Sequence, residues 1–336
     1  MKAMLLPRPA PAHTRPLAAT DIPDPELTPD DLLIEVAACG VCRTDLHLVE
    51  GELTAPAYPI VPGHQAVGRV IRAGAAVRRA RPGDRVGVAW VGGFCGACDY
   101  CVEGRENLCE APTFTGFHRH GGFAERLAVH ATYAHPIPEA LGDDLHIAPL
   151  LCAGIIGYRA LKQSGLRPGR RLALYGFGAA AHIAIQIARA WGCEVFVVSR
   201  DRASLDRARD MGAAWTGLSG ERLPRPVDHG VSFAPAGSVI PEALRDLRRG
   251  GTLSLAGIYV DRVPEMDYDT HLFQEKTLVS TTANTRADAR ELLELAGRLG
   301  LRTDVQAFAL EEANEALLRL GQGTLEAQAA VLRIGG

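Results

Sequence analysis

Four cysteines crowd into one short segment, spaced Cys95-x2-Cys98-x2-Cys101-x7-Cys109. Thiolates at that spacing on a single loop can close a tetrahedral shell around Zn2+. No coordination position is then left open, which is the arrangement of a structural rather than a reactive ion. Gly93 and Gly96 let such a loop fold tightly. The other four cysteines, Cys39, Cys42, Cys152 and Cys193, are dispersed. Two Cys and one His with a free fourth position would make a catalytic zinc site, but spacing alone cannot assemble one here, and a buried Cys ordinarily packs as a small hydrophobe. A second chemical signal is Gly176-Phe177-Gly178-Ala179-Ala180-Ala181. It fits G-x-G-x-x-G/A, in which one Gly makes a tight turn, the next lets a pyrophosphate approach and the small third residue packs helix on strand. A helix beginning there offers backbone N–H groups and a partial positive charge to phosphate; an ordinary strand–helix turn is the alternative. The following strand ends at Ser199, where an NAD site usually carries Asp or Glu. Ser199 is small, and Arg200 could face a 2′-phosphate with its guanidinium, which favours NADP. In the alternative, Asp201 serves a ribose and the arginines are solvated.

These groups need a scaffold. At 336 residues, 47% hydrophobic and 22% charged, the chain is long enough for about two globular domains. A net charge of -3 gives no reason to expect nucleic acid or an anionic membrane as partner. The first residues lack the apolar core of a signal peptide, and the longest uncharged run, 172–188, is too short and polar for a membrane span. In the reducing cytoplasm that this implies, clustered cysteines read as metal ligands rather than disulfides. Residues 1 to about 150 read as β-rich, with strands at Leu32–Val36, Ala66–Ile71, Arg85–Val88 and Glu125–Val129. Beyond Pro149, strands and helices alternate: helix Gly154–Ser164, strand Arg171–Tyr175, helix Ala180–Trp191, strand Glu194–Val198, helix Ala203–Met211. A strand at Val231–Phe233, a helix at Pro241–Arg249 and a strand at Gly251–Leu255 follow. Such alternation predicts a parallel sheet with crossover helices. Helices at Ala287–Leu299 and Glu311–Leu320 and a strand at Ala330–Ile334 close the chain.

Five segments in this order, Gly40-Val41-Cys42-Arg43-Thr44-Asp45-Leu46-His47, Gly63-His64, the four-cysteine loop, Cys152-Ala153-Gly154 and the Gly176–Gly178 turn, make the sequence resemble the zinc-dependent medium-chain alcohol dehydrogenases over essentially its whole length. The resemblance implies an α/β protein: a β-rich GroES-like catalytic domain of residues 1–153 with 284–336, and a Rossmann doubly wound parallel-sheet domain of 154–283. It implies two Zn2+ per chain, one catalytic on Cys42, His64 and Cys152 and one structural on Cys95, Cys98, Cys101 and Cys109. Asp45 becomes the carboxylate orienting His64, and Thr44 and His47 the proton relay. Arg43 and Arg286 become pyrophosphate contacts, alongside Gly176 to Ala181, Ser199, Arg200, Ala256 and Ile258 around the nucleotide. Trp90, Phe114 and Ile258 become walls of the substrate pocket, with Phe117, Tyr259 and Leu272 as further candidates. Homodimers and homotetramers both occur in such enzymes. Cys39 and Cys193 are left to packing. One residue departs from the family pattern: Gln65 stands where Glu usually follows the ligand His, leaving the site one negative charge poorer.

The expected reaction is hydride transfer between a small alcohol or aldehyde and a nicotinamide cofactor, NADP favoured and NAD the alternative. Zinc as a Lewis acid lowers the pKa of bound water from 15.7 to about 7, and a bound alcohol is acidified in the same way. Rival functions are a polyol dehydrogenase, in which Glu usually replaces the ligand Cys152, a zinc-free reductase on the same fold, and a catalytically silent zinc-binding redox sensor, for which Thr44 and His47 have no use. The apolar pocket candidates suit a small or aromatic alcohol.

Overall fold

The strand Asp31–Val41 organises the first half of the chain. Only Glu35 along it is exposed, so side chains on both faces are packed, as expected of a strand inside a wrapped sheet. Its first part pairs antiparallel with Arg126–His130 and its second part with Ala329–Arg333, while Ala66–Ala73 runs along its other edge. The resulting seven-stranded sheet continues through Arg85–Val88 to Ala134–Pro136, and on the other side to Val305–Ala309. Leu32, Ile34, Leu48, Phe123 and Leu127 lie in its core at 2% exposure or less; each such side chain contributes ~1.5–3 kcal/mol by burial. Cys39 belongs to this core, and burial pushes its thiol well up.

The computed structural model describes residues 1–335 in two units: Met1–Cys152 together with Ala283 onward, and Ala153–Thr282. The second unit is a six-stranded, all-parallel sheet. Its spatial order is Trp215–Leu218, Glu194–Ser199, Arg171–Tyr175, Val227–Ser232, Leu247–Leu255, Thr277–Ser280. Numbered along the chain, that order is 3-2-1-4-5-6, the arrangement of a dinucleotide-binding sheet, whose strand order reverses beside the first strand. Helices Ala153–Gln163, Ala179–Ala190, Arg202–Asp210 and Val239–Asp246 cross between or cover the strands.

Several elements differ from the sequence reading. The helix expected to run to Arg249 stops at Asp246, because Leu247 already pairs with Val227 as the start of the next strand. The strand expected at Leu32–Val36 extends to Val41. Trp215–Leu218, Thr277–Ser280 and Val305–Ala309 form strands that the sequence did not announce. No single helix among the described residues is long and apolar enough to cross a membrane.

Candidate active site

Cys42 sits where the long strand Asp31–Val41 gives way to the helix Arg43–Glu50. Its extended backbone makes it the N-cap, and its N–H donates to Asp45 Oδ2 at 2.9 Å. The other carboxylate oxygen accepts Gly63 N–H at 3.1 Å and lies 3.2 Å from His64 Nδ1. Asp45 therefore ties together the two chain segments that carry Cys42 and His64. Gly63 has φ +98°, and a Cβ there would stand 2.4 Å from the Phe123 ring; only glycine lets the backbone turn His64 inward at this point. His64 is 1% exposed, and its Nε2 faces Cys42 Sγ at 3.3 Å. Cys152, at the end of the first unit, completes a set whose ligand atoms all lie within 4.8 Å of one another.

Charge in this cluster is unevenly held. Burial pushes the Asp45 carboxyl up. Burial also works against a charged His64, but the Asp45 and Cys42 charges outweigh it and raise the imidazole's hold on a proton. A hydrogen bond from Cys152 brings the Cys42 thiol well down, while the same contact and burial push Cys152 up. Two sulfurs thus compete for one proton, as metal ligands do before a cation displaces it. Tetrahedral Zn–S and Zn–N bonds of about 2.3 and 2.1 Å imply an S···N edge of roughly 3.6 Å. The observed 3.3 Å fits such an ion with little movement.

The four-cysteine loop fits an ion equally well. Cys95, Cys98, Cys101 and Cys109 Sγ cluster within 4.8 Å, and Cys95 and Cys101 stand 3.9 Å apart, against roughly 3.8 Å for a tetrahedral S···S edge. Backbone N–H groups of Ala97 and Cys98 donate to Cys95 Sγ at 3.5 and 3.3 Å and hold its thiol at about 6. Cys95 N–H and Ala111 N–H donate to Cys109 Sγ at 3.2 and 3.4 Å. The eight cysteines are all free.

Trp90 stands edge-on to the His64 ring, centroids 5.0 Å apart at 77°, and stacks on Phe114 at 4.7 Å and 14°. Phe117 leans on the indole at 5.8 Å. Trp90, Phe114 and Phe117 thus form one aromatic wall beginning at the metal cluster. Ile258, Tyr259 and Leu272 lie in the second unit, the first two 66% and 61% exposed. On the helix after Cys42, Arg43 is exposed, and Thr44 and His47 are half-buried. His47 Nδ1 makes a very short contact with Glu52, a partner that the sequence reading missed; the only signal was a carboxylate five residues on.

In the second unit, Gly176 has φ +87° and Gly178 caps the helix Ala179–Ala190. A Cβ on Gly178 would meet no protein atom within 4 Å. The space beside it is open for a ligand, as a pyrophosphate cradle requires. Ala181 is fully buried, and the smallness of this third position serves packing. Both Asp201 oxygens are engaged, one by Ser204 N–H at 2.8 Å as the cap of the next helix, the other by Ser199 Oγ at 3.2 Å. Arg200 is exposed and has no partner among the described residues. Ala256 and Ile258 follow the carboxyl end of the strand Leu247–Leu255. Arg286, which the resemblance offers as a pyrophosphate contact, is largely engaged within the first unit. Its backbone N–H, Nε and Nη2 all donate to Glu106, at 2.5–3.0 Å, and its guanidinium lies over Tyr133.

A closed thiolate cluster, an open Cys2His cluster backed by a carboxylate, and a doubly wound nucleotide sheet define a metal-dependent nicotinamide oxidoreductase. Comparison with known proteins narrows the class. Residues 28–139 match the alcohol dehydrogenase GroES-like domain and residues 179–298 the zinc-binding dehydrogenase domain. The chain is 44% identical to "Probable alcohol dehydrogenase AdhA" of Mycobacterium tuberculosis over 99% of its own length and 97% of that protein's. It is 36% identical to an alcohol dehydrogenase of Geobacillus stearothermophilus, over 92% and 93%. A solved structure from Sinorhizobium meliloti 1021, titled as a zinc-binding dehydrogenase bound to NADP, superimposes with a TM-score of 0.87 at 27% identity, over 99% of this chain and 98% of that one. The chain belongs to the zinc-binding medium-chain alcohol dehydrogenase family. It is an NAD(P)-dependent alcohol dehydrogenase that interconverts alcohols and aldehydes by hydride transfer.

Proposed function

We propose that this chain is an NADP-preferring dehydrogenase of small, planar apolar alcohols, carrying two zinc ions. The observation that carries this reading is the aromatic wall Trp90–Phe114–Phe117 standing against His64, beside the one cluster whose donor set leaves a coordination position free. Cys42, His64 and Cys152 would hold the catalytic ion, and Cys95, Cys98, Cys101 and Cys109 the structural one. When bound, that catalytic ion supplies Lewis acidity at the substrate oxygen and the nicotinamide exchanges the hydride. The chain's own groups do the rest. Asp45 holds His64 in the tautomer whose Nε2 is free to ligate. The aromatic wall excludes water and orients a flat substrate. Thr44 takes the hydroxyl proton, and His47, steadied by Glu52, passes it to solvent.

The cofactor preference rests on Arg200 and Asp201. The carboxylate in the turn directly after the second strand, Asp201, is spent on Ser204 N–H and Ser199 Oγ, and the neighbouring guanidinium is unspent, which suits a 2′-phosphate better than two ribose hydroxyls. The helix N-terminus at Gly178 serves the pyrophosphate. Ala256 and Ile258 lie where nucleotides bind in such sheets, beyond the carboxyl ends of the strands. The edge strand Thr277–Ser280 has one unpaired side, and Ile258, Tyr259, Val263, Tyr268 and Phe273 are exposed on the same unit. These features support a homodimer or homotetramer, since bare edges and apolar patches are commonly covered by a partner. Free thiol clusters suit the reducing cytoplasm. The test is a panel of primary, secondary and aromatic alcohols and aldehydes, assayed with NAD(H) and NADP(H) in parallel. Highest kcat/KM with an aromatic substrate and NADP(H) is expected. Equal rates with both cofactors, or preference for polyols, would overturn the reading.

A further inference from the structure

A cavity of about 370 Å3 opens in the first unit between the four-cysteine loop and the start of the helix Arg286–Leu299, within the size range of ligand pockets. Besides Cys101, assigned above to the structural ion, and Glu106, its polar side chains are hydrogen-bond donors that the mechanism does not use. Arg119 is half-exposed; its only ionic neighbour is Asp31 at 3.7 Å, beyond hydrogen-bonding distance, so its five N–H donors are unspent among the described residues. Arg286 keeps Nη1 free after its other donors have gone to Glu106. His130 accepts Thr132 N–H at Nδ1, 3.2 Å, which fixes the neutral tautomer with its proton on Nε2. The hydroxyls of Thr113 and Thr132 complete the lining without a partner of their own among the described residues. The one carboxylate in the wall, Glu106, is saturated by Arg286 and lowered by it below the usual carboxylate range, so it does not compete for the remaining donors.

We propose that this cavity is an anion site that takes a small organic molecule through a carboxylate or phosphate group. Arg119 would supply a forked, charge-assisted pair of bonds, for which guanidinium is suited, with Arg286 Nη1 and His130 Nε2 closing from the other sides. Occupancy would also tie the segment bearing Arg119 and the end of the strand Arg126–His130 to the start of the helix at Arg286, because the ligand bridges groups on all three.

The experiment titrates the zinc-loaded, full-length protein with inorganic phosphate and, separately, with succinate, by calorimetry at ionic strength matched with KCl. Saturable binding of at least one probe is expected: phosphate alone marks a phosphate ester as the natural class, succinate alone a carboxylate, and both a site that reads only the oxyanion. Arg119→Gln should weaken that binding by about tenfold or more, the cost of losing a charged hydrogen-bond pair. His130→Asn keeps the acceptor for Thr132 N–H and removes only the distal donor; it should weaken binding several-fold, and it serves if Arg119→Gln disturbs folding. No saturable binding by either probe would overturn the proposal. So would binding that both variants leave unchanged, since the probe would then be held elsewhere, for instance at the nucleotide turn.

Discussion

Removing one negative charge behind His64 should loosen the catalytic metal without touching a ligand. Asp45 accepts from three groups, Cys42 N–H at 2.9 Å, Gly63 N–H at 3.1 Å and His64 Nδ1 at 3.2 Å. An Asn at this position has one oxygen. Set towards Gly63 and His64, it turns its NH2 against Cys42 N–H, and a donor then faces a donor in a site 2% exposed. Set the other way, it loses both partners of the other oxygen, including the bond that orients the imidazole. At least one charge-assisted bond is lost either way, ~1.5–3 kcal/mol. That range agrees with the 10–100-fold loss of metal affinity, roughly 1.4–2.7 kcal/mol, typical of altered groups behind a ligand. Asp45→Asn should therefore release the zinc held by Cys42, His64 and Cys152 to a chromophoric chelator at 10–100-fold lower chelator strength, while zinc held by the four-cysteine loop, as proposed, would stay and serve as an internal reference. Release of both ions together, or of neither below the wild-type chelator strength, would refute the assignment of Asp45 as the orienting carboxylate.

Three further outcomes follow from the geometry. His135 is buried, and burial with the nearby Arg290 and Arg286 lowers it to about 4. Below pH 6.5 the unfolded chain takes up a proton that the folded chain refuses, so stability falls on acidification from about 6.5 to 4. At 1.36 kcal/mol per pH unit the loss is about 3 kcal/mol at most; His135→Asn should flatten this part of a pH series of urea melts, and superimposable series would contradict it. Arg200→Ala should raise the Kd of NADPH about tenfold and leave NADH within twofold, read by cofactor fluorescence; a parallel loss for both would remove Arg200 from the 2′-phosphate. Gln65 is buried with its Nε2 unpartnered among the described residues, and Gln65→Glu should keep the zinc content but change turnover, whereas an unchanged steady-state profile would make the side chain a bystander.

Local signals carried much of this fold. The Gly176–Gly178 turn, the strand before it and the helix after it are contiguous, and short-range physics alone specifies them. The cysteine loop is equally local. The strands at Trp215–Leu218 and Val305–Ala309 escaped because short segments gain their strand character from the neighbours they pair with. Asp31–Val41 read short because both its faces are packed and alternation disappears. The open cluster was legible only through resemblance: Cys42, His64 and Cys152 meet because three distant segments converge, and nothing in their spacing says so. The Glu106–Arg286 clamp, 180 residues apart in sequence, left no sequence signal, so the resemblance offered Arg286 as a pyrophosphate contact with no hint that its Nε and Nη2 donate to Glu106.

The central claim is that two metal centres on one chain do different work. Zinc counted by mass spectrometry, alongside alcohol oxidation on the same samples, tests it most directly. The account predicts two ions in the wild type and one in His64→Ala, with cofactor binding kept and activity below a few per cent. It also predicts one ion in Cys109→Ser, with the Cys42–His64–Cys152 ion retained. Two ions and substantial turnover in His64→Ala would contradict it.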